Sequence, residues 1–286
     1  MLQQRIQRFY DASSGLWEQV WGEHMHHGYY GRDGLAPTER RQAQIDLIDT
    51  LLSWAGVTTA TQILDVGCGI GGSTLYLAQR YQAQAVGITL SPVQARRAQE
   101  RAQERAHAYA PGSNAPPITF QVADAMAMPF EDQRFDLVWS LESGEHMPDK
   151  ARLLAECVRV LRPGGTLILA TWCHRPLGDQ PLTPREQEAL TQIYRLYHLP
   201  YVIALDEYQT LAQGLGLHEL QAEDWSVAVA PFWDAVIGSI WDPAVLWRVL
   251  RAGWMTVQGA RATYLMRQGY RTGLIRFGVL SGRRGA

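Results

Sequence analysis

A run of apolar residues passes directly into a glycine-rich turn at ILDVGCGIGG, residues 63–72. The turn holds four glycines: Gly67, Gly69, Gly71 and Gly72. Glycine lets the backbone turn sharply and approach a ligand closely. The helical stretch STLYLAQR follows at once, so a helix N-terminus stands behind the turn and favours polar or anionic groups. This feature predicts a strand–turn–helix unit that binds a small molecule.

The strand–turn–helix unit opens a regular alternation of strands and helices. Strand-like runs are QILDV (62–66), AQAVGITL (83–90), ITFQVA (118–123), FDLVWS (135–140) and GTLILATW (165–172). Helical stretches over 72–81, 92–108 and 149–161 lie between or after them. Strands that are apolar throughout and alternate with helices are typical of a parallel sheet covered on both faces. The predicted fold class is therefore α/β, a Rossmann-like, doubly wound and mostly parallel sheet.

The segments around this alternation predict a single domain, 1–286, with a helical cap. Four segments are predicted within it: an N-terminal helical cap (1–55), a cofactor-binding core (56–173), a substrate cap with helices (174–270), and a final strand with the tail (271–286). Residues 187–216 are predicted to be helical. IRFGVLSG, residues 275–282, is predicted to be an edge strand that ends the sheet.

The composition excludes several classes of protein. Hydrophobic residues make up 47% of the chain and charged residues 19%, which is typical of a soluble globular protein. The three cysteines, Cys68, Cys157 and Cys173, show no CxxC spacing, so we expect neither a disulfide framework nor a zinc site. No apolar run of about 18 residues and no secretory signal occur, which predicts a cytoplasmic location. The net charge of −2 gives no overall attraction for nucleic acid, and none is expected as a partner.

The glycine turn fits two kinds of cofactor. Gly67, Gly69 and Gly72 match GxGxxG, the fingerprint of NAD-dependent oxidoreductases. Asp65 extends the pattern to D-x-G-x-G-x-G, which resembles motif I of the class I methyltransferases. In that family an acidic residue after the third strand, here Asp124, receives the adenine amino group. The second strand ends in VGITLSPVQ, which offers hydroxyl groups for a ribose but lacks the carboxylate that is usual in both families.

Five longer segments are more specific than the glycine turn. They are FYDASSGLWEQVWGEHMHHGYYG (9–31), RRQAQIDLI (40–48), SLESGEHMPDK (140–150), ATWCHRPL (170–177) and DWSVAVAPFWDAVI (224–237). Together they resemble the tocopherol C-methyltransferases in their cyanobacterial form. The resemblance implies methylation of the chromanol ring of gamma-tocopherol to alpha-tocopherol, and of delta- to beta-tocopherol, in vitamin E biosynthesis. Relatives that methylate another prenyl quinol or an alkaloid amine leave the acceptor open.

The resemblance also implies how S-adenosyl-L-methionine is bound. The implied contacts are Asp65, Gly67, Cys68, Gly69 and Gly71 in the turn, Thr89, Leu90 and Gln94 after the second strand, Asp124 and Ala125 after the third, Leu141 at the end of the fourth, and Tyr10, His27 and Tyr29 in the N-terminal segment. Aromatic rings beside a sulfonium would stabilise its positive charge.

Methylation of a ring carbon beside a phenol calls for a base, because the phenolate makes the ring electron-rich. His146 is the predicted base, since it follows the fourth strand at the carboxyl edge of the sheet and histidine titrates near neutral pH. Glu142, at the end of that strand, is the second predicted catalytic residue, and His174 is an alternative base. The histidines of HMHH, 24–27, have no further ligand at metal-site spacing, so no metal is predicted.

Tryptophan is concentrated in the C-terminal third of the chain. The predicted contacts of a prenyl-phenol substrate are Trp172, His174, Trp225, Phe232 and Trp233. Between 231 and 286 there are eight arginines and two aspartates, and Trp241, Trp247, Arg248 and Arg251 lie among them. Two interpretations are open for this segment: an ordinary solvated helix face, or a face that rests on an anionic membrane such as the thylakoid. The sequence predicts no oligomeric state.

Overall fold

The computed structural model describes residues 4, 6–8, 10, 11, 15, 18, 22–108, 116–178, 180–239 and 254–285. Before position 22, the described residues are helical. The helices are α1 (Arg40–Trp54), α2 (Gly72–Tyr81), α3 (Pro92–Ala108), α4 (Lys150–Val160), α5 (Pro184–Tyr197), α6 (Leu205–Gly214), α7 (Ser226–Val229), α8 (Pro231–Ser239) and α9 (Trp254–Thr272). The strands are β1 (Gln62–Val66), β2 (Gln84–Thr89), β3 (Ile118–Val122), β4 (Phe135–Leu141), β5 (Leu161–His174), β6 (Leu217–Asp224) and β7 (Ile275–Arg284).

The strands form one sheet in the order β3-β2-β1-β4-β5-β7-β6. The first five strands are parallel, with Leu64 of β1 paired with Val86 of β2 and Val138 of β4. β7 runs antiparallel to β5 and to β6. This arrangement confirms the predicted α/β fold with a mostly parallel sheet.

The prediction that 275–282 forms an edge strand is wrong. β7 lies inside the sheet between β5 and β6, and β6 takes the edge. The apolar pattern misses β6 because its sequence, LHELQAED, is polar and only Leu217 is buried. The predicted helical stretch 187–216 is interrupted. α5 ends at Tyr197, the next residue His198 has the left-handed conformation, and α6 begins at Leu205.

Alternate side chains of the sheet enter two separate hydrophobic cores. On one face Ile63, Trp139 and Ile168 pack with residues of α1, α2, α5, α8 and α9. On the other face Leu64 and Val138 pack with residues of α4 and α6. Helices on both faces explain why the central strands are apolar throughout.

Part of the predicted substrate and membrane region lies outside the described residues, namely Trp241, Trp247, Arg248 and Arg251. Among the helices that the structure does describe, none combines the length and the hydropathy needed to cross a bilayer.

Candidate active site

A cavity that is open to solvent lies at the carboxyl ends of β1, β2 and β4. Its lining includes ten of the residues predicted to hold the cofactor, namely Tyr10, Asp65, Gly67, Cys68, Gly69, Thr89, Leu90, Gln94, Ala125 and Leu141. Both predicted catalytic residues, Glu142 and His146, line it as well. Ligands of open α/β sheets bind at this edge.

Two glycines of the turn shape the cavity in different ways. Gly67 has φ +80°, and a Cβ there would lie 2.2 Å from Cβ of Ser143. Gly69 has φ +53°, and the nearest atom to a Cβ there would be the sulfur of Met25 at 3.7 Å. The space over Gly69 is therefore open, which allows a ligand to approach the backbone. Gly71 serves packing instead, because a Cβ there would lie 2.7 Å from the ring of Phe120.

Asp65 is buried under the glycine turn. Its Oδ2 accepts a hydrogen bond of 2.6 Å from the hydroxyl of Thr74 in α2. Burial raises the pKa of Asp65 to about 7, although the bonds from Thr74 oppose the shift. The carboxyl group therefore joins β1 to α2 directly beneath the cavity.

The end of β2 presents neutral polar groups to the cavity. The Thr89 hydroxyl donates to Oε1 of Gln94 at 2.7 Å. The Ser91 hydroxyl donates to Asp11, a residue of the N-terminal helical segment, at 2.5 Å. Asp11 thus brings a carboxylate to the strand end where the local sequence has none. Its distance along the chain from Ser91 hides this pairing from motif analysis.

The segment 22–27 lies across the glycine turn. Glu23, His24, Met25 and His26 line the cavity. Gln44 of α1 holds the segment by donating to the carbonyl oxygens of His24 at 2.7 Å and His26 at 2.9 Å. The Glu23 carboxylate also pairs with Arg41, Arg101 and Arg105, at 3.1, 3.2 and 3.0 Å respectively.

Besides Gly71, three of the predicted cofactor residues point elsewhere or lie just beside the cavity. Tyr29 packs against Trp225, with ring centroids 5.5 Å apart. His27 is turned toward Glu142. Asp124 lies between the lining residues Ala123 and Ala125, and its Oδ1 accepts from the backbone N–H of Met126 at 2.9 Å. The N-terminal segment covers the cavity as the resemblance implies, but through 23–26 and not through His27 and Tyr29.

Glu142 is a buried carboxylate with three hydrogen-bond donors. It follows β4 in the left-handed conformation, with φ +51°. It accepts from the backbone N–H of His27 at 2.6 Å, from Nδ1 of His27 at 2.8 Å and from Nε1 of Trp172 at 3.1 Å. Burial raises its pKa, but the His27 side chain and backbone outweigh this and hold the pKa below its usual value. Glu142 is therefore ionised, and hydrogen bonds from His27 and Trp172 fix the position of its carboxylate.

His146 stands on a short 3-10 turn, Gly144–His146. A hydrogen bond of 2.6 Å joins its Nε2 to the hydroxyl of Tyr10. Burial, with help from Lys150 and His198, lowers the pKa of His146 to about 3, so the imidazole is neutral. Lys150 holds the turn by donating to the carbonyl oxygens of Gly144, Glu145 and Met147, at 2.8, 3.1 and 2.7 Å.

Aromatic side chains of the hydrophobic core pack around His27. This aromatic cluster consists of Trp172, Phe232, Trp233, Tyr270 and Phe277, with ring centroids 4.8 to 6.0 Å from that of His27. Three of the five predicted substrate residues thus come together. Sequence patterns did not indicate Tyr270 or Phe277, which arrive from α9 and β7.

The other two predicted substrate residues lie outside the aromatic cluster. Trp225 packs on Tyr29 and Trp54, and its Nε1 donates to Glu223 at 2.9 Å. His174 ends β5, where its Nδ1 donates to the carbonyl oxygen of Arg175 at 2.7 Å. Across the described part of the chain, no group of three or more His, Cys, Asp or Glu side chains is arranged to hold a metal ion.

The sheet order, the glycine turn and the cavity at the carboxyl edge define a class I methyltransferase that uses S-adenosyl-L-methionine. Residues 64–169 match the family described as a methyltransferase domain. The geranyl diphosphate C-methyltransferase of Streptomyces coelicolor A3(2), solved with S-adenosyl-L-homocysteine, has the same fold. It superposes with a TM-score of 0.74 at 19% identity, over 99% of this chain and 97% of that one.

Two curated relatives match nearly the whole chain. The chloroplastic tocopherol O-methyltransferase of Arabidopsis thaliana is 46% identical, over 98% of this chain and 82% of that protein. The 2-methyl-6-phytyl-1,4-hydroquinone methyltransferase of Synechocystis sp. is 36% identical, over 94% of this chain and 83% of that protein. The chain therefore belongs to the tocopherol methyltransferase family. The predicted enzyme class and cofactor are confirmed, and the NAD-dependent alternative is set aside.

Proposed function

We propose that this enzyme methylates the chromanol ring of gamma-tocopherol to give alpha-tocopherol, and that of delta-tocopherol to give beta-tocopherol. The observation that carries the proposal is the contact between the Tyr10 hydroxyl and Nε2 of His146, which are 2.6 Å apart, since both residues line the cofactor cavity. A phenol hydroxyl thus already lies on an imidazole nitrogen there, and a phenolic acceptor can take the same position beside the cofactor. The names of the two curated relatives, which refer to a tocopherol and to a phytyl hydroquinone, point to the same class of acceptor.

The residues of the cavity suit S-adenosyl-L-methionine. Gly69 leaves room for close backbone approach, Thr89 and Gln94 offer neutral hydrogen-bonding groups, and Nε2 of the buried His26 has no partner. When bound, the cofactor supplies an electrophilic methyl group. We propose that the ten predicted residues in the lining, together with 23–26, hold it, and that Asp124 receives the adenine.

Besides the cofactor, the reaction needs a group that removes the phenol proton of the acceptor. We propose that the phenol takes the place of the Tyr10 hydroxyl at Nε2 of His146 and gives its proton to that nitrogen. Neutral imidazole is the form that can accept, and burial keeps His146 neutral. The cofactor and His146 share one cavity, so we propose that most of the rate enhancement comes from positioning the ring carbon.

Product analysis tests the proposal. The enzyme is incubated with methyl-labelled S-adenosyl-L-methionine and either gamma- or delta-tocopherol, and the product is silylated before mass spectrometry. Methylation at carbon leaves a hydroxyl group that takes up one silyl group, whereas an O-methyl ether takes up none. We expect the silylated, ring-methylated product. Transfer only to amines, or only to oxygen, would refute the proposal.

A second acceptor class is favoured by the Synechocystis relative, whose name specifies a phytyl hydroquinone. A panel containing both tocopherols and 2-methyl-6-phytyl-1,4-hydroquinone ranks the candidates by kcat/KM. We expect the tocopherols to be preferred, since the relative that is named for a tocopherol shares 46% identity against 36%.

We propose that the enzyme is cytoplasmic and rests on a membrane surface, where its prenyl-lipid substrate resides. The eight arginines between 231 and 286 support this proposal, because clustered arginines are attracted to anionic lipid headgroups. Sedimentation with vesicles of anionic lipid, compared with neutral vesicles at the same ionic strength, tests it. Equal binding to both kinds of vesicle would contradict the proposal.

A further inference from the structure

Lys150 is the single lysine of a chain in which lysine and arginine together occupy 26 positions. It is the first residue of α4, and only 2% of it is exposed. Neither placement favours stability, because lysine is almost never fully buried and a positive charge at a helix N-terminus opposes the helix dipole. The reason for a lysine at this position therefore lies outside α4.

The Nζ atom of Lys150 has three acceptors, one for each of its protons. It donates to the carbonyl oxygens of Gly144, Glu145 and Met147 at 2.8, 3.1 and 2.7 Å. The ring of Tyr201, in the connection between α5 and α6, lies with its centroid 4.9 Å from Nζ. An ammonium is a compact donor of three hydrogen bonds, whereas a guanidinium is a planar fork. Three carbonyls that converge on one nitrogen explain why this position holds lysine and not arginine.

The three carbonyls flank His146 along the chain. Gly144 and Glu145 precede it in the 3-10 turn, and Met147 follows it. His146 and Met147 also line the cofactor cavity. One buried side chain thus fixes the backbone on both sides of the predicted base. A misplacement of about 1 Å is enough to slow an enzymatic step by about 100-fold, so this contact bears on the reaction.

The positive charge of Lys150 also acts on the His146 imidazole. Burial, Lys150 and His198 together lower the pKa of His146, in that order of size. The group that faces the imidazole from the N-terminal segment is Tyr10, and burial raises the pKa of its hydroxyl. The ammonium of Lys150 therefore helps to keep the imidazole in the neutral form, which is the form that accepts a proton.

We infer that Lys150 is a positioning residue for His146 and that the reaction requires it in the ammonium form. The inference rests on the proposed function, in which His146 accepts the phenol proton. A neutral amine has only two protons to donate and turns a lone pair toward the third carbonyl, so deprotonation releases one carbonyl of the turn. The turn then loosens, and the imidazole leaves its position. Lys150 itself exchanges no proton with the acceptor.

The pH dependence of kcat tests the inference in the wild-type enzyme. The titratable groups that face the Lys150 ammonium are Glu145, Cys173, Tyr201 and His146. Burial lowers the pKa of Lys150 to about 8, although Glu145 and Cys173 oppose the shift. The ammonium form is therefore present below that pH and is lost as the pH rises through it. We expect kcat with gamma-tocopherol to fall by about 10-fold or more as this happens.

The single lysine gives an independent reading of the same titration. Protein labelled with nitrogen-15 lysine has one Nζ signal, that of Lys150. We expect this signal to titrate over the same pH range as kcat. A kcat that stays level while the Nζ signal titrates would overturn the inference.

Glu145→Gln separates Lys150 from its acidic neighbour. Burial raises the pKa of Glu145 to about 7, so this carboxyl also titrates near neutral pH. The substitution removes that titration, and it removes the carboxylate that raises the pKa of Lys150. The fall in kcat should therefore persist and move to lower pH. Its disappearance would assign the pH dependence to Glu145 and contradict the inference.

Two substitutions separate the charge of Lys150 from its geometry. Lys150→Arg keeps the charge but cannot direct three donors to one point, and Lys150→Met keeps an unbranched side chain without any donor. We expect kcat to fall by about 10- to 100-fold in both variants, with an unchanged calorimetric Kd for S-adenosyl-L-homocysteine. The residual activity of Lys150→Arg should show no fall near pH 8, because a guanidinium stays ionised. Wild-type kcat in either variant would refute the inference.

Arg80→Met is the matched control, since it removes an exposed positive charge in the last turn of α2, at the opposite end from the glycine turn. It should behave as wild type. If a Lys150 variant does not fold, the wild-type profile and the Nζ signal decide. If the wild type methylates no phenol at carbon, the proposed function and the inference fall together. If it does so and its kcat is level through the Lys150 titration, only the inference falls.

Discussion

Glu142, Glu145 and His146 lie within five positions of one another, yet their surroundings give them different protonation states. Glu142 receives three hydrogen bonds and is ionised. Glu145 receives one side-chain bond, from Thr171 at 2.7 Å, and it lies in the field of Glu142. Burial first, and Glu142 second, raise the pKa of Glu145 to about 7. Neighbouring carboxylates whose pKa values are shifted in opposite directions are typical of active sites.

Glu145 should make the stability of the protein depend on pH. Its pKa rises from 4.5 in the unfolded chain to about 7, so the folded state binds the proton more tightly. Its contribution is complete below the unfolded pKa and is lost as the pH rises through about 7. Glu145→Gln keeps the acceptor for Thr171 but cannot ionise. Wild type should therefore lose stability between about pH 5 and about pH 8, whereas the variant should not. Over that range the free energy of unfolding of the variant should increase by about 1–3 kcal/mol relative to that of wild type. Urea unfolding at both pH values measures this, and parallel pH curves would contradict it.

His146→Ala should slow turnover without preventing cofactor binding. Removal of a base reduces the rate by about 100-fold or more. Because the cavity keeps the glycine turn and the polar groups after β2, the calorimetric Kd for S-adenosyl-L-homocysteine should change little. His218→Ala serves as the control. Unchanged turnover in His146→Ala would mean that another group accepts the phenol proton. His174 is the alternative base predicted from sequence.

At the scale of elements, apolar runs predict the central strands because those strands are buried on both faces. β6 escapes prediction because its outward side chains are polar. His27 and Tyr29 are predicted to contact the cofactor, but an irregular segment has no period that tells which side chains face inward. Contacts between distant parts of the chain, such as that of Tyr10 with His146, cannot be predicted from local patterns, because only the fold brings these residues together. The sequence therefore locates the site better than it assigns partners within it.

The ion pairs of Glu23 should contribute more to cofactor affinity than to the stability of the fold. Glu23 ties the segment over the cavity to three arginines of α1 and α3. Partly exposed ion pairs contribute little each, so Glu23→Ala should lower affinity for S-adenosyl-L-homocysteine by about 3- to 10-fold, equivalent to about 1 kcal/mol. Glu104→Ala removes an exposed partner of Arg97 on α3 and is the matched control. Equal affinity in both variants, measured by calorimetry, would show that the segment does not depend on Glu23.

At the scale of the whole molecule, the sheet places the cofactor cavity at its carboxyl edge, next to the aromatic cluster. The cofactor cavity is formed by the parallel strands and the N-terminal segment. The aromatic cluster needs β5, β7, α8 and α9, which come from the second half of the chain. Glu142 lines the cavity and is tied to the cluster by its hydrogen bonds with His27 and Trp172. The second half of the chain thus helps to fix the position of a carboxylate that faces the cofactor.

Ligand binding should therefore stabilise the molecule selectively. At about 100 times its Kd, S-adenosyl-L-homocysteine should raise the free energy of unfolding by about 2.7 kcal/mol. NADH at the same concentration should give no rise, although the glycine turn also fits the dinucleotide pattern. Gly69→Asn is the matched variant, since asparagine tolerates the left-handed conformation and its side chain would extend into the open space over the turn. This variant should fold and yet lose the stabilisation. A rise with NADH, or an undiminished rise in Gly69→Asn, would mean that the cofactor binds elsewhere than over Gly69.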